Sequence, residues 1–289
     1  MKPYLEIERL RNYSSAFSRS VFLNIIDHND CSRLNYLFDR YDSNREKEWT
    51  YLDYLKHMYS KIAEKYRCEY VYKNEIISKL LIEQYGTTDA VAINEFRVRG
   101  SIADFALFNG DSKAFEIKTE FDNKKRLDRQ IQDYTKLFQK CYIVVPEHLL
   151  QQYEECTSKN IGIVALSTTK NSKIVLQTSR EATMNKKIDI SILMSSIRTE
   201  EYKNIVLQYF GKLPVVSCYE MFEKCQKKIK QIPQKELQKL FLNEIKKRKS
   251  NTRFLADYSA EIRQMCLSMN LTQKQYANLL EKLNNPITK

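Results

Sequence analysis

Apolar residues recur at helical spacing through the first quarter of the chain. Phe17, Val21, Phe22, Ile25 and Ile26 form one stripe, and Asp27-His28-Asn29-Asp30 breaks it. Leu34, Leu37 and Phe38 form a shorter stripe, and Trp49, Leu52, Leu55, Met58 and Tyr59 a third. Residues 1–68 therefore predict a helical N-terminal region. A further helix is expected over Tyr72–Tyr85, buried through Ile76, Ile77, Leu80 and Leu81 and ended by Gly86-Thr87-Thr88-Asp89. From Ala90 the pattern changes. Ala90–Val98, Ile102–Phe108 and Lys113–Thr119 read as strands, the last two joined by the hairpin signal Asn109-Gly110-Asp111. A helix over Lys124–Gln139 presents Leu127, Ile131, Tyr134, Leu137 and Phe138. The continuous runs Cys141–Val145 and Ile161–Leu166, separated by a helix over Glu147–Cys156, read as buried strands. Ile174-Val175-Leu176 adds an edge strand. A hairpin followed by helix–strand–helix–strand predicts an α/β fold, a mixed central sheet with helices on both faces.

Composition sharpens this picture. The chain has 289 residues, 43% hydrophobic and 11% aromatic, with only five glycines and five prolines. That excludes a disordered chain and favours many helices with few long loops. The net charge is +12, and residues 198–289 carry 18 Lys/Arg against 9 Asp/Glu, so most of the excess lies in the final third. There Ile229, Ile232, Leu237, Leu240, Phe241 and Ile245 keep helical spacing, and residues 181–289 read as a basic helical C-terminal region. A polyanion partner is expected, nucleic acid and not a membrane: no apolar run approaches the ~18 residues a span requires. The opening MKPYLEIERLRNY has no hydrophobic segment, so a cytoplasmic location is expected. The seven scattered cysteines include no Cys-x-x-Cys pair, which speaks against a zinc ribbon or a disulfide framework. His28, His57 and His148 lie far apart and read as structural. Met269–Leu280 resembles the opening of a helix-turn-helix without room for a recognition helix, and reads as an ordinary helix.

Candidate chemistry sits on the hairpin. With Phe108 and Ser112 flanking a three-residue loop, antiparallel counting sets Asp104 opposite Glu116, and Lys118 shares a face with Glu116. Two carboxylates about 4 Å apart repel by roughly 4 kcal/mol at an effective dielectric near 20. A divalent cation between them turns repulsion into coordination.

Asp104 followed by Glu116-x-Lys118 resembles the pattern of the PD-(D/E)XK nuclease superfamily, although Ala103 stands where many members have proline. Gln130 and Tyr134 are similar to the Gln-x-x-x-Tyr motif of its RecB-like branch, and EIKTEFDNKKRLDRQIQDY looks most like small bacterial members of that branch. The resemblance implies a restriction-endonuclease-like core over residues 69–180 and a metal-dependent nuclease, most naturally a DNase in phage defence or mobile-element biology. It also implies roles. Asp104, Glu116 and the carbonyl of Ile117 would ligate Mg2+, with Mn2+ able to substitute. Glu75 would hold a metal-bound water or a second ion. Lys118 would place the attacking water, and Gln130 and Tyr134 would orient water or phosphate. The cysteine grouping of iron–sulfur members is absent from the sequence, so no cluster is expected. Candidate phosphate contacts are Arg97 and Arg99 at a strand end, and Lys227, Lys228, Lys230, Lys246, Lys247, Arg248 and Lys249 in the basic helices. Homodimerisation or a defence-system partner protein fits such a nuclease. The competing readings are a catalytically silent nucleic-acid-binding protein and one subunit of a partner-activated complex.

Overall fold

A computed structural model describes residues 3–43, 48–123, 125–169, 173–248 and 250–287. Packing divides the chain into two compact units: residues 1–87, 167–176 and 251–289, and residues 88–166 with 177–250. These boundaries differ from the composition-based divisions at 68/69 and 180/181. The helical run before the sheet groups with the chain's beginning, and the basic helices group with the sheet.

The first unit opens with helices α1 (Pro3–Ser15), α2 (Arg19–His28), α3 (Ser32–Tyr41), α4 (Tyr51–Lys65) and α5 (Glu69–Glu75). Thr50 caps α4 in a reciprocal capping box with Asp53, which explains why helix begins there. The helix expected over Tyr72–Tyr85 is present, but from Ile76 to Tyr85 it winds as a wider π-helix. A buried acid organises the interior: Asp42 accepts from the Arg9 guanidinium at 2.7 Å and from the Tyr54 hydroxyl at 3.0 Å. Tyr13 also donates to it, and His57 Nε2 lies 3.7 Å away. Burial, with Asp42 alongside, holds the Tyr13 and Tyr54 phenols well above their ordinary value. His57 thus has the structural setting expected of it.

The strands are β1 (Val91–Val98), β2 (Ser101–Asn109), β3 (Asp111–Ile117), β4 (Lys140–Pro146), β5 (Gly162–Thr168) and β6 (Ile174–Arg180); they belong to the second unit except for residues 167–168 and 174–176, which group with the first. They form one six-stranded sheet in sequential order, antiparallel from β1 to β3 and parallel from β3 to β5. The mixed α/β sheet flanked by helices is as the pattern predicts. Phe108 pairs with Ser112 as counted, but pairing continues to Asn109 and Asp111, so the turn closes around Gly110 alone, at φ +75. Helix α6 (Leu127–Tyr134) links β3 to β4, and α7 (Leu150–Cys156) links β4 to β5. The pattern predicts a longer α6. It stops at Tyr134 because segment 185–189 takes the next carbonyls: Asn185 Nδ2 donates to Thr135 O and the Asp189 amide to Lys136 O at 2.8 Å.

After β6 come α8 (Ile190–Ser196), α9 (Thr199–Phe210), α10 (Cys218–Ile229) and α11 (Gln234–Lys246). Their apolar sides (Leu193, Ile205, Ile229, Leu237 and Phe241 among them) share a core with Phe96, Phe108, Tyr134 and Phe138. The first unit is completed by α12 (Arg263–Ser268) and α13 (Gln273–Leu283). Among the described residues no helix is long and apolar enough to cross a membrane.

Glu75, at the end of α5, is 9% exposed and accepts from the Tyr59 hydroxyl at 2.6 Å. Burial raises its carboxyl above the usual 4.5, against the lowering effect of Tyr59. The folded state therefore binds this proton more tightly than the unfolded chain. Stability falls as pH rises through the window from 4.5 to the raised folded value. Glu75→Gln keeps an acceptor for Tyr59 and removes that loss. It is expected to melt roughly 2 °C or more above the wild type at pH 8, with the gap closing by pH 4. Thermal melts across pH 4–8 check this; a pH-independent gap refutes the titration.

Candidate active site

Strand order brings the predicted acid pair together. The β2–β3 ladder runs to Phe105 opposite Phe115, and the next position in that register sets Asp104 against Glu116. Asp104 is half-buried, and its Oδ2 accepts from the Ile117 backbone amide at 2.7 Å. A strand residue's N–H and C=O face the same neighbour, so the Ile117 carbonyl is presented toward β2 as well.

Glu116 is 2% exposed. Its Oε1 accepts from Lys118 Nζ at 2.8 Å and its Oε2 from the Tyr134 hydroxyl at 2.8 Å. Lys118, 7% exposed, also donates to Gln130 Oε1 at 3.2 Å. The hydroxyl of Tyr134, fully buried, also lies 2.6 Å from the Ile102 carbonyl, so its single hydrogen is shared between that oxygen and Glu116. Gln130 and Tyr134 sit one turn apart on α6, on the side that meets this end of the sheet. Four side chains from β3, the segment just past it and α6 (Glu116, Lys118, Gln130 and Tyr134) thus form one hydrogen-bonded cluster, and Asp104 adjoins it from β2 through the Ile117 amide. Burial, then the adjacent Glu116 carboxylate, holds the Tyr134 phenol far above its ordinary value, so it acts as a proton-bearing donor.

The donor set suits a hard cation: two carboxylates and a backbone carbonyl. Among the described residues no three His, Cys, Asp or Glu side chains gather into an ion cage. The cluster in the second unit therefore offers two carboxylates, and Glu116 exchanges hydrogen bonds with Lys118 where a cation would bind. Glu75 is engaged by Tyr59 within the first unit.

The register also places an acid that the sequence pattern did not single out. Asn94 pairs with Phe105 and Phe96 with Ala103, so Glu95 lies at the β1 position level with Asp104. Glu95 is exposed and has φ +57, a left-handed backbone unusual inside a strand. A glutamate in an alternating run carries no sequence signal; only strand pairing puts it in the row Glu95, Asp104, Glu116.

The proposed phosphate contacts divide. Arg97 is exposed, whereas Arg99 lies 3.9 Å from the buried Asp133, which also accepts from Ser101 at 2.7 Å. Lys227 pairs with Glu223 at 2.6 Å, Lys228 sits 4.7 Å over the Phe210 ring, and Lys230 is exposed. Lys247 pairs with the buried Glu244. Arg248 clamps Glu201 at 2.6 and 2.8 Å and stacks 5.3 Å from the Phe96 ring centroid, which is a packing role and not a phosphate contact. Lys246 is exposed, and Lys249 lies outside the described residues.

Comparison with known proteins gives a family. Protein cII of Enterobacteria phage P4 is 31% identical to this chain over 146 residues, 49% of this chain and 50% of that protein. The chain thus spans about half the length of the curated relative it matches. A solved protein of unknown function from Silicibacter pomeroyi aligns with 50% of this chain and 93% of its own, at 14% identity and a TM-score of 0.31, too low a likeness to bear on the fold. The family model described as bacteriophage P4 protein cII matches residues 62–272, well over half of the chain. The chain belongs to the bacteriophage P4 protein cII family.

Proposed function

We propose that this protein is a Mg2+-dependent nuclease with a restriction-endonuclease-like core of the PD-(D/E)XK type, hydrolysing phosphodiester bonds of nucleic acid, DNA in the first instance. One observation carries the reading: Glu116, Lys118, Gln130 and Tyr134, chosen from sequence spacing, lie in a single hydrogen-bonded cluster, and Asp104 reaches the same strand end through the Ile117 amide. Chance rarely brings five predicted polar side chains to one place, and burying a carboxylate and an ammonium there is costly without a use. A family named for a phage protein suits a mobile-element setting, and the net charge of +12 suits a polyanionic substrate.

Asp104, Glu116 and the Ile117 carbonyl would hold the ion, which when bound would polarise the phosphoryl oxygen and acidify a water. The protein's own groups position the reactants. Lys118 has three ammonium hydrogens; Glu116 and Gln130 take two among the described residues, leaving one to hold water or a phosphate oxygen. Tyr134 fixes the Glu116 carboxylate through its hydroxyl, and Gln130 fixes the lysine. A specific observation favours a second reading: both Glu116 oxygens already have partners, so this carboxylate is satisfied without an ion, as in a nucleic-acid-binding protein that no longer cuts.

Activity separates the two. Purified protein is expected to degrade circular and linear DNA with Mg2+ or Mn2+ and not with EDTA. Asp104→Asn retains an acceptor for the Ile117 amide, and is expected to lose at least 100-fold in cleavage with an unchanged melting curve. Cleavage by this variant at the wild-type rate ends the proposal. Lys118→Met strands the buried Glu116 charge and is expected to destabilise the fold by about 3–5 kcal/mol. Adding Glu116→Gln removes that charge, so the double variant is expected to recover most of the stability but none of the activity. Denaturant titration and a DNA digest, run side by side, check both halves.

A further inference from the structure

Away from the acidic cluster, the Gly110 tip of the β2–β3 hairpin opens onto a cavity of about 610 Å3. It lies six residues along β3 from Glu116, on the order of 20 Å in strand rise. Lys186, Lys235, Lys239 and Lys246 line it, with the amides of Gln238 and Asn243. Among the described residues neither a carboxylate nor an aromatic ring is part of the lining.

Helix α11 explains the arrangement. Lys235, Lys239, Asn243 and Lys246 recur at three- and four-residue spacing and form one stripe, while Leu237, Phe241 and Ile245 form the buried one. Two basic residues that follow this helix are engaged: Lys247 by Glu244 and Arg248 by Glu201. At the hairpin, Lys113 and Lys140 share Asp111. Among the described residues the four cavity lysines, by contrast, have no carboxylate within 4 Å. Like charges converging on a concavity repel unless an anion enters, and here no side-chain anion does.

We infer that this cavity binds consecutive phosphates of a nucleic-acid strand. The lack of an aromatic ring excludes base stacking, and ammonium groups suit phosphate oxygens, so contact is to the backbone and independent of sequence. The inference rests on the nucleic-acid reading above, though not on cleavage.

The test is binding without metal. Full-length protein carrying Asp104→Asn, in EDTA, is titrated against a fluorescein-labelled single-stranded DNA 20-mer from 50 to 200 mM salt. Adding Lys235→Gln, Lys239→Gln and Lys246→Gln is expected to weaken binding at least tenfold at 50 mM. The slope of log affinity against log salt should become shallower by about 2. Lys56→Gln, Lys159→Gln and Lys274→Gln, exposed elsewhere, should change affinity less than threefold, and melting curves confirm that both triple variants fold. Unchanged binding by the cavity variant, or equal losses in both, overturns the site. Lysine-dependent binding of tripolyphosphate without binding of the 20-mer overturns the strand as occupant. Lysine-dependent DNA binding, with no cleavage by the unsubstituted protein in Mg2+, refutes the nuclease reading and leaves the cavity standing.

Discussion

The charge balance around Glu116 is the constraint on which the centre of the second unit depends. A carboxylate at 2% exposure cannot remain ionised in an apolar interior without partners, and its partners fix the surrounding elements. Lys118 supplies the counter-charge from two residues along the chain, and Tyr134 ties the carboxylate to α6 while bonding the β2 backbone at Ile102. One acid thereby sets the position of a helix, the direction of a lysine and the spacing of two strands. The same balance leaves the lysine with a spare donor one residue past Ile117, whose amide holds the second acid, Asp104, and there a structural ion pair becomes a candidate for chemistry.

The protein's positive charge is not one undivided surface. Some of it is consumed inside the second unit, where Arg248 and Lys247 neutralise Glu201 and Glu244 between helices. Some is paired locally on helix surfaces, as with Lys227 and Glu223. Four lysines without a carboxylate partner among the described residues line a concavity at the hairpin tip. Runs such as KKRK look strongest in the sequence yet include residues committed to packing, while the more widely spaced Lys235 and Lys239 remain available.

Backbone pairing, not composition, decides what stands beside Asp104. Glu95 comes level with it because β1 and β2 close through the two-residue turn Arg99-Gly100. Arg99 adopts φ +56 there, a left-handed backbone at the first residue of the turn.

Periodicity by itself determined the helical beginning, the hairpin, the alternation that follows and the mixed sheet, because apolar spacing reports directly which face of an element is buried. The hairpin signal was strong enough to count Asp104 against Glu116, and one helical turn was enough to put Gln130 beside Tyr134. Other features were decided only in three dimensions. The end of α6 depends on Asn185 and Asp189, some 50 residues away, taking the carbonyls of Thr135 and Lys136 just past it. The engagement of Arg248 depends on Glu201, and the setting of Asp42 on Arg9, Tyr13 and Tyr54. Each of these rests on hydrogen bonds or ion pairs between residues far apart in sequence, and spacing along the chain carries no record of such partners.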